Sequence, residues 1–534
     1  MGAEAFVADR ELSKDVAAVI SIEMRGTYGG SNMFETSSGN RWLIRHAGNS
    51  LERPQASSLF YSIYKLLPND TDVTVFRRAG VAAMNFAALR GVNWYHTPLD
   101  DVAHASPKTL QHHGDNALAM LRVMGNADLQ ARGSNDATYF DVFAWFLVWW
   151  PQQWTLWMAI ISLVALIVAA RKQDARAMTF GVLAAFTALL FAGVIGMALA
   201  QLATRGNGAI NFVARPLPGI IAMWLVGIAG ALFAAAVFNR RENPRAMLYG
   251  IAIVWHMIGI ALALTVSGAA YLFVLPALVV TLLAWTHLSE TTIATLAAFT
   301  AAVLFFPLTV MFYDALGGRL LAVTALLVGV HAMLVAPLFS RYKYATAVLV
   351  LAVISAVVAT LQPAYTAERP RPIPLSYVDD ARAQSPRWVT WTATDELRKV
   401  APFASAEASL FPWNRGAAFV APAPLQPLPR VTVSGERKGN IVTVRVRSPR
   451  GAYRLVVFAR GATVRRVNGT ALPPGRTRSL GEWRVVSAAG VEEIVVELLA
   501  TRPVEIAASD LSLGLPPSGA ALLRAREAST ATTI

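Results

Sequence analysis

Long apolar runs dominate the middle of the chain, and different patterns precede and follow them. Between residues 141 and 362 the apolar stretches are each roughly 17–25 residues long, the length at which a helix crosses a bilayer. After residue 430, short β-rich runs alternate with turn residues. The pattern predicts eight membrane-spanning helices, at residues 153–170, 177–201, 217–238, 246–265, 268–287, 291–313, 318–338 and 343–362.

The region before these runs has the pattern of an α/β domain. Apolar and β-branched runs predict strands at residues 16–22, 72–76 and 81–86. The apolar spacing at residues 57–67 and 110–123 predicts helices. Strands that alternate with helices pack as an α/β sandwich, so we expect that architecture here.

The region after the apolar runs begins with a Pro-rich segment and then changes period. Prolines from Pro363 onward, and again from Pro422 to Pro429, predict a linker. Short β-rich runs then predict a small β-sandwich, and the Ala/Thr-rich end of the chain is expected to fray. The predicted strands are residues 430–433, 441–446, 453–458, 483–486 and 493–498.

Composition narrows the class of protein. With 55% hydrophobic and only 15% charged residues, the chain is that of a membrane protein with soluble ends, in contact with membrane lipid. The net charge of +14 is spread over loops and tail without a basic stripe of interleaved aromatics, which argues against nucleic-acid binding. The absence of cysteine excludes disulfides, thiolate metal ligands and a cysteine nucleophile.

Charges between the apolar runs predict the orientation in the membrane. Alternate loops carry clusters of Arg and Lys, and the positive-inside rule then places both soluble ends on the extracytoplasmic face, periplasmic or lumenal. A group of tryptophans around the first span indicates an interfacial aromatic belt. The basic clusters are Arg171, Lys172 and Arg176, then Arg240, Arg241 and Arg245, then Arg341 and Lys343, and the tryptophans include Trp145, Trp149, Trp150, Trp154 and Trp157.

Two residues of the first region have the chemistry of metal ligands. His96 follows Trp94 and Tyr95 on a predicted loop, where ligands are commonly presented. Glu23 ends an apolar strand-like run, where a buried carboxylate is costly unless it is paired or bound to metal. A structural histidine, and a glutamate paired with Arg25 or a loop amide, are the alternatives.

The chain resembles the M28 family of zinc aminopeptidases through four short motifs that occur in the family's order. The similarity is greatest to the multi-spanning branch of endoplasmic reticulum metallopeptidases and vacuolar membrane proteases. It covers the N-terminal 125 residues, and the predicted layout of spans and outer β-domain extends it along the chain. The motifs are Gly2-Ala3-Glu4-Ala5-Phe6, Ile20-Ser21-Ile22-Glu23-Met24-Arg25-Gly26, Pro68-Asn69-Asp70-Thr71-Asp72 and Tyr95-His96-Thr97-Pro98-Leu99-Asp100.

The resemblance implies a membrane-anchored metallopeptidase that holds two zinc ions and removes N-terminal residues from peptide substrates. By position, Glu23 matches a carboxylate ligand of zinc and His96 matches the family's final histidine ligand. Asp72 and Asp100 match positions beside the site, where each would either orient a ligand or cap a loop.

The sequence departs from the family at the first ligands. In the family, a histidine, a bridging aspartate and a glutamate pair that includes the general base precede the segment matching Gly2 to Phe6, and Glu4 matches neither glutamate. No catalytic residue is therefore assigned, and the chain as written is expected to be inactive. Two explanations stay open. One is an N-terminally truncated enzyme, favoured because no signal precedes the first soluble region; the other is an inactive membrane scaffold that binds partners.

A transporter is a third interpretation. His256, His331 and Asp314 are ionisable residues in or near the predicted spans, and such residues often mark transport paths. The histidines have no carboxylate close in sequence, so this interpretation ranks below the other two.

The predicted fold class is a multi-domain membrane protein with a partial α/β zinc-peptidase domain, an eight-helix α-helical transmembrane domain and a C-terminal β-sandwich. The predicted domains are the peptidase-like part (1–125), an interfacial aromatic linker (126–152), the transmembrane domain (153–362), a Pro-rich linker (363–429), an extracytoplasmic β-sandwich (430–515) and a frayed tail (516–534).

Overall fold

The chain divides into two compact units. The first, here called the membrane unit, comprises Ala17–Tyr95 and Leu99–Arg369, and the second, the terminal unit, comprises Met1–Val16, His96–Pro98 and Pro370–Ile534. The computed structural model describes residues 2–66, 71–129, 133–204, 213–238, 243–318, 321–381, 385–406, 417–472 and 477–531. Residues 68–70 of the third motif, and Arg240 and Arg241 of the basic loops, lie outside these ranges.

The α/β part of the membrane unit is built on a four-stranded mixed sheet with the order β1-β4-β2-β3. Strand β4 lies parallel to β1 and antiparallel to β2, and all seven of its residues are buried. Before the apolar helices the elements are α1 (Gly2–Ala8), α2 (Arg10–Ser13), β1 (Ala18–Met24), β2 (Asn32–Thr36), α3 (Arg41–Ser50), β3 (Gln55–Ala56), α4 (Ser58–Leu66), α5 (Asp72–Arg78), β4 (Ala82–Ala88), α6 (Pro107–Asn126), β5 (Ala137–Val142) and β6 (Phe146–Pro151).

The segment predicted as a strand at residues 72–76 is helix α5, so that prediction is wrong. Thr71 begins the helix, and its backbone N–H donates to Thr74 Oγ1 over 3.2 Å, as in a capping box. Asp72 lies in the first turn, where the helix dipole favours a negative charge. The alternation of Val73 and Val75 suggested a strand, but the cap decides the local conformation.

Strands β5 and β6 form a hairpin within the segment predicted as an aromatic linker. One face of the hairpin, including Tyr139 and Leu147, belongs to the buried cluster of the α/β sheet. The opposite face, including Phe140 and Val148, belongs to the buried cluster of the apolar helices. The hairpin is therefore a layer between the two parts, because successive strand side chains point to opposite faces.

The apolar runs form helices at the predicted positions. Within the described residues, six of them are long and apolar enough to cross a membrane, and two shorter apolar helices, α11 and α13, lie among them. The chain is therefore a multi-pass membrane protein, and the count of eight spans stays a prediction. The helices are α7 (Gln153–Ala170), α8 (Ala175–Ala203), α9 (Leu217–Phe238), α10 (Pro244–Thr265), α11 (Tyr271–Leu283), α12 (Glu290–Leu316), α13 (Leu321–Ala332) and α14 (Tyr342–Leu361).

Glycines allow close approach of these helices. A Cβ atom on Gly181 of α8 would lie 2.1 Å from Met247 O of α10, and one on Gly250 of α10 would lie 2.0 Å from Met178 O of α8. Gly227 of α9 approaches Gly329 of α13 in the same way. Small residues at such crossings let helix backbones meet.

The ionisable residues of the spans have local partners. His256 Nδ1 lies 2.7 Å from Ala252 O, and its Nε2 lies 2.8 Å from Ser162 Oγ of α7. His331 Nδ1 lies 2.8 Å from Leu327 O in the preceding turn. Asp314, one residue beyond the predicted span 291–313, lies in the last turn of α12. These contacts join helices or satisfy polar atoms, and none of them requires a transport path.

The terminal unit contains several β-sheets, as predicted for the C-terminal region. A five-stranded sheet of order β12-β13-β19-β15-β16 and a four-stranded sheet of order β17-β18-β14-β20 share one buried cluster. Its elements after α14 are β7 (Arg371–Pro372), β8 (Leu375–Val378), β9 (Arg387–Thr390), α15 (Asp395–Val400), β10 (Ala404–Ala406), β11 (Ala418–Pro422), β12 (Thr432–Lys438), β13 (Ile441–Arg447), β14 (Arg454–Arg460), β15 (Thr463–Val467), β16 (Thr470–Ala471), β17 (Arg478–Leu480), β18 (Trp483–Ala489), β19 (Glu493–Leu499), β20 (Glu505–Leu511), α16 (Ala520–Arg524) and β21 (Thr530–Ala531).

Two segments of the terminal unit differ from the sequence prediction. The Pro-rich linker contains a four-stranded sheet of order β10-β11-β9-β8, in which Trp388 is buried. The tail expected to fray forms α16, whose Leu522 is buried in the same cluster, and β21, which pairs with β7. Both segments are ordered by apolar contacts between residues far apart in sequence. Local composition does not predict such contacts.

Candidate functional site

Glu23 lies near the carboxyl end of β1, at the edge of the sheet where β1 and β4 both end. Its Oε1 accepts a hydrogen bond from Asn85 Nδ2 of β4 over 3.0 Å, and the side chain is half-buried. The alternative in which Glu23 pairs with Arg25 is not formed, because Arg25 Nη1 donates to Ala315 O of α12 over 2.7 Å. Glu23 is therefore a strand-end carboxylate, and no cationic side chain among the described residues forms an ion pair with it.

A second carboxylate, which the sequence analysis missed, lies behind Glu23. Glu35 of β2 is fully buried and is paired with Arg77 Nη1 at 3.4 Å. Thr71 Oγ1 donates to Glu35 Oε2 over 2.6 Å, and Thr74 Oγ1 donates to Glu35 Oε1 over 3.3 Å. A buried charge needs such partners, since unpaired it would be strongly destabilising. The sequence of β2 alone does not indicate a buried, paired carboxylate at Glu35, because the partners of Glu35 come from α5 and its cap.

Asn85 links the two carboxylates. Its Nδ2 lies 3.0 Å from Glu23 Oε1 and 3.4 Å from Glu35 Oε2, and the residue is fully buried. Asn85 Oδ1 is buried without a hydrogen-bond partner. Buried polar atoms are normally satisfied, so this acceptor is available to a donor or a cation.

The electrostatics around Glu23 favour a cation. Burial raises the pKa of Glu23 above its usual value, and the nearby charges of Glu35 and Asp72 raise that pKa further, while the Asn85 hydrogen bond lowers it. Asp72 itself is exposed in the first turn of α5. The structure thus brings Glu23 and Asp72 close enough for their charges to interact.

His96 and Asp100 lie on the loop that follows a short 3-10 turn, Val92–Trp94. His96 is exposed and has a left-handed backbone with φ of 57°, a conformation that non-glycine residues seldom adopt and that clusters at functional sites. Asp100 is exposed as well. His96 belongs to the terminal unit, whereas Glu23, Asp72 and Asp100 belong to the membrane unit, so the structure does not group all four predicted residues in one unit.

Helix α6 holds the segment before β2 through two adjacent histidines. Ser31 N–H donates to His112 Nδ1 over 3.1 Å, so His112 Nε2 carries the proton that it donates to Arg53 O over 2.9 Å. Ser31 Oγ lies 2.8 Å from His113 Nδ1, and burial lowers the pKa of His113 to about 4. These contacts fix the backbone between β1 and β2, which carry Glu23 and Glu35.

The part of the chain that carries Glu23 and His96 matches a known family. Residues 1–121 match the model of peptidase family M28. Residues 1–121 are therefore called the M28 segment here. The M28 segment thus contains all four of the predicted site residues, and also Glu35 and Asn85.

The relatives that the chain resembles include an endoplasmic reticulum metallopeptidase and vacuolar membrane proteases. It is 26% identical over 155 residues to human endoplasmic reticulum metallopeptidase 1, which covers 28% of this chain and 17% of that protein. It is 30% identical over 165 residues to the vacuolar membrane protease of Eremothecium gossypii, covering 30% of this chain and 16% of the relative. It is also 29% identical over 174 residues to the vacuolar membrane protease of Schizosaccharomyces pombe, covering 32% of this chain and 19% of the relative. The chain thus spans less than a fifth of the length of these relatives. No solved structure matches it.

The donor atoms of the M28 segment fit part of a zinc site. Carboxylate and imidazole are ordinary zinc ligands, and Glu23 with its raised pKa and the unpartnered Asn85 Oδ1 mark a place where a cation would be stabilised. Among the described residues, no three His, Cys, Asp or Glu side chains are grouped as a metal site. The M28 segment as described therefore offers single ligands, and the complete set is not assembled from it.

Proposed function

We propose that this chain is part of a membrane-anchored, zinc-dependent metallopeptidase of the aminopeptidase type. Glu23 and His96 are its zinc ligands, and Asp72 and Asp100 orient them. The observation that carries the proposal is the position of Glu23 within the M28 segment, at the carboxyl end of β1 and beside a second, fully buried carboxylate. No residue of this chain is assigned as the general base.

The proposal extends to the arrangement around the site. Peptides are the substrates, and two zinc ions, when bound, would polarise the scissile carbonyl and lower the pKa of the attacking water. The helices from α7 to α14 form eight spans, the two large sheets of the terminal unit form a β-sandwich, and both soluble ends lie on the extracytoplasmic face. In this chain, other side chains position Glu23 and set the charge around it. Asn85 donates a hydrogen bond to the Glu23 carboxylate, and Glu35 and Asp72 add negative charge that favours a cation.

Zinc binding by the whole chain tests the ligand assignment. The chain, reconstituted in lipid nanodiscs, is titrated with zinc by calorimetry, and bound metal is counted by mass spectrometry. His96→Ala and Glu23→Gln should each weaken zinc binding at least about tenfold. His46→Ala is the matched control, since His46 packs against Trp42 and is not a proposed ligand. Equal affinity in all four proteins would remove Glu23 and His96 as ligands.

An inactive membrane scaffold that binds partners is the second candidate. Release of free leucine from a leucyl peptide distinguishes the two candidates. Zinc-dependent release that is lost in His96→Ala supports the peptidase. Zinc binding without release, measured on the protein as its source cells make it, supports the scaffold.

A further inference from the structure

We propose that the tip of the β5–β6 hairpin inserts its aromatic side chains into the lipid headgroup layer and fixes the height of the α/β part above the bilayer. The tip is defined as Phe143, Ala144, Trp145 and Phe146. The proposal is independent of the peptidase function, since it concerns only how this unit meets its membrane.

The first support is the place of the hairpin in the membrane unit. Tyr139 and Leu147 pack into the cluster of the α/β sheet, and Phe140 and Val148 pack into the cluster of the apolar helices. The Phe140 ring also stacks on Tyr271 at the start of α11, with centroids 4.8 Å apart and planes 7° apart. A layer between a soluble part and the ends of membrane helices lies at the membrane surface.

The second support is the attachment of that layer to one end of the helices. Ser57 Oγ lies 2.9 Å from Tyr271 Oη, and Ser58 Oγ donates to Gly268 O between α10 and α11 over 2.7 Å. Gln152 Nε2, directly before α7, donates to Ser267 Oγ over 2.7 Å. Tyr139 N–H of β5 donates to Ser58 Oγ over 3.2 Å, so the hairpin is held through Ser58 and Gln152 where three helices begin or end. Its tip lies at the opposite end of the hairpin from Gln152.

The third support is the exposure and chemistry of the tip. Trp145 is 76% exposed, Phe146 52% and Phe143 47%, although aromatic side chains are normally buried. Trp154 and Trp157, in the first turns of α7, are 56% and 60% exposed. Tryptophan is enriched where membrane meets water, because its ring is apolar and its N–H is polar. The bilayer interface is the occupant that this surface fits.

The fourth support for membrane insertion is the backbone conformation of the tip. Phe143 and Ala144 have φ of 49° and 59°, in the left-handed region that hairpin turns usually fill with Asn and Gly. Asp141 holds the turn, since its Oδ2 accepts from Ala144 N–H and its Oδ1 accepts from Ala56 N–H, both over 3.0 Å. An aromatic residue at a strained turn position points to a role for its side chain.

Single-cysteine labelling tests the proposal, because the chain contains no cysteine of its own. Trp145→Cys and Phe146→Cys carry a nitroxide spin label in nanodiscs of phosphatidylcholine and phosphatidylglycerol. Leu121→Cys, 62% exposed on α6, is the aqueous control, and Leu190→Cys, 69% exposed on α8, is the lipid control. Far-ultraviolet circular dichroism confirms that each variant folds.

Collisions with oxygen, which concentrates in lipid, and with a water-soluble nickel chelate report the depth of each label. We expect the labels at 145 and 146 to be shielded from the nickel chelate at least about threefold relative to 121, at a depth shallower than 190. Accessibility to the chelate equal to that at 121, for both tip positions in folded protein, would overturn the proposal. Shielding from oxygen as well as from the chelate would also overturn it, since protein and not lipid would then cover the tip.

Discussion

Arg90 Nε lies 3.1 Å from Asp314 Oδ2, and this ion pair joins the loop after β4 to the last turn of α12. Arg25, in the loop after β1, binds Ala315 O of the same turn. The loops that follow Glu23 and precede His96 in sequence are therefore both attached to the end of one membrane helix. A carbonyl at a helix C-terminus is a favourable acceptor for a cation, so the Arg25 contact stabilises this attachment in addition to the ion pair.

Removal of the ion pair should loosen that attachment. Arg90→Ala is expected to lower the free energy of unfolding by about 1 kcal/mol, the upper range for an exposed pair, because Asp314 is mostly buried. Chemical unfolding of the nanodisc-bound chain measures the change. Arg122→Ala on the exposed face of α6 is the control and should have no measurable effect. Asp314→Asn combined with Arg90→Ala should cost little more than either change alone, and full additivity would contradict a direct pair.

Gly26 should be intolerant of any side chain. A Cβ atom there would lie 2.1 Å from Arg90 O, and this backbone has no flexible end that could move aside. Gly26→Ala is expected to destabilise the chain by about 2–3 kcal/mol and to displace the loop after Glu23. Gly114→Ala in α6, where a Cβ meets nothing within 4 Å, should instead stabilise by about 0.5–1 kcal/mol. Thermal unfolding of Gly26→Ala and Gly114→Ala measures the difference. Similar melting temperatures would argue against the close approach of Gly26 to the Arg90 backbone.

The raised pKa of Glu23 predicts a pH-dependent stability in metal-free protein. Because the folded pKa lies above the ordinary 4.5, the protonated form is favoured on folding, and stability is lost as pH rises from 4.5 through the raised pKa. Glu23→Gln keeps an oxygen for Asn85 Nδ2 and removes the charge. With a chelator present, the variant should melt higher than the unmodified chain at pH 7, and the two should converge below pH 4.5. A constant difference across that range would contradict the shift.

The lowered pKa of His113 predicts that stability falls with decreasing pH, opposite to the effect expected for Glu23. Its pKa falls from 6.5 to about 4 on folding, so the unfolded chain binds the proton more tightly, and stability is lost as pH falls from 6.5 towards 4. His113→Gln should make the melting temperature less sensitive to acid in this window, whatever its effect at pH 7. His46→Gln, at a less buried histidine, serves as the comparison, and an unchanged pH profile in His113→Gln would show that another group is responsible.

The sequence by itself determined the features that local physics decides. The apolar helices lie where length and hydropathy placed them, since a helix in lipid satisfies its own backbone and needs only an apolar surface. Glu23 was placed at a strand end and His96 on a loop, because the apolar runs stop just beside them. The strands after residue 430 followed from their alternation and turns.

Only the tertiary structure decided what depends on partners distant in sequence. Glu35 became a buried carboxylate because α5 brings Thr71, Thr74 and Arg77 to it. The hairpin became a layer because its two faces meet two different cores, and the predicted linker and tail became ordered because Trp388 and Leu522 share one cluster. Such contacts depend on how whole helices and strands pack together, so they cannot be predicted from the sequence of any one segment.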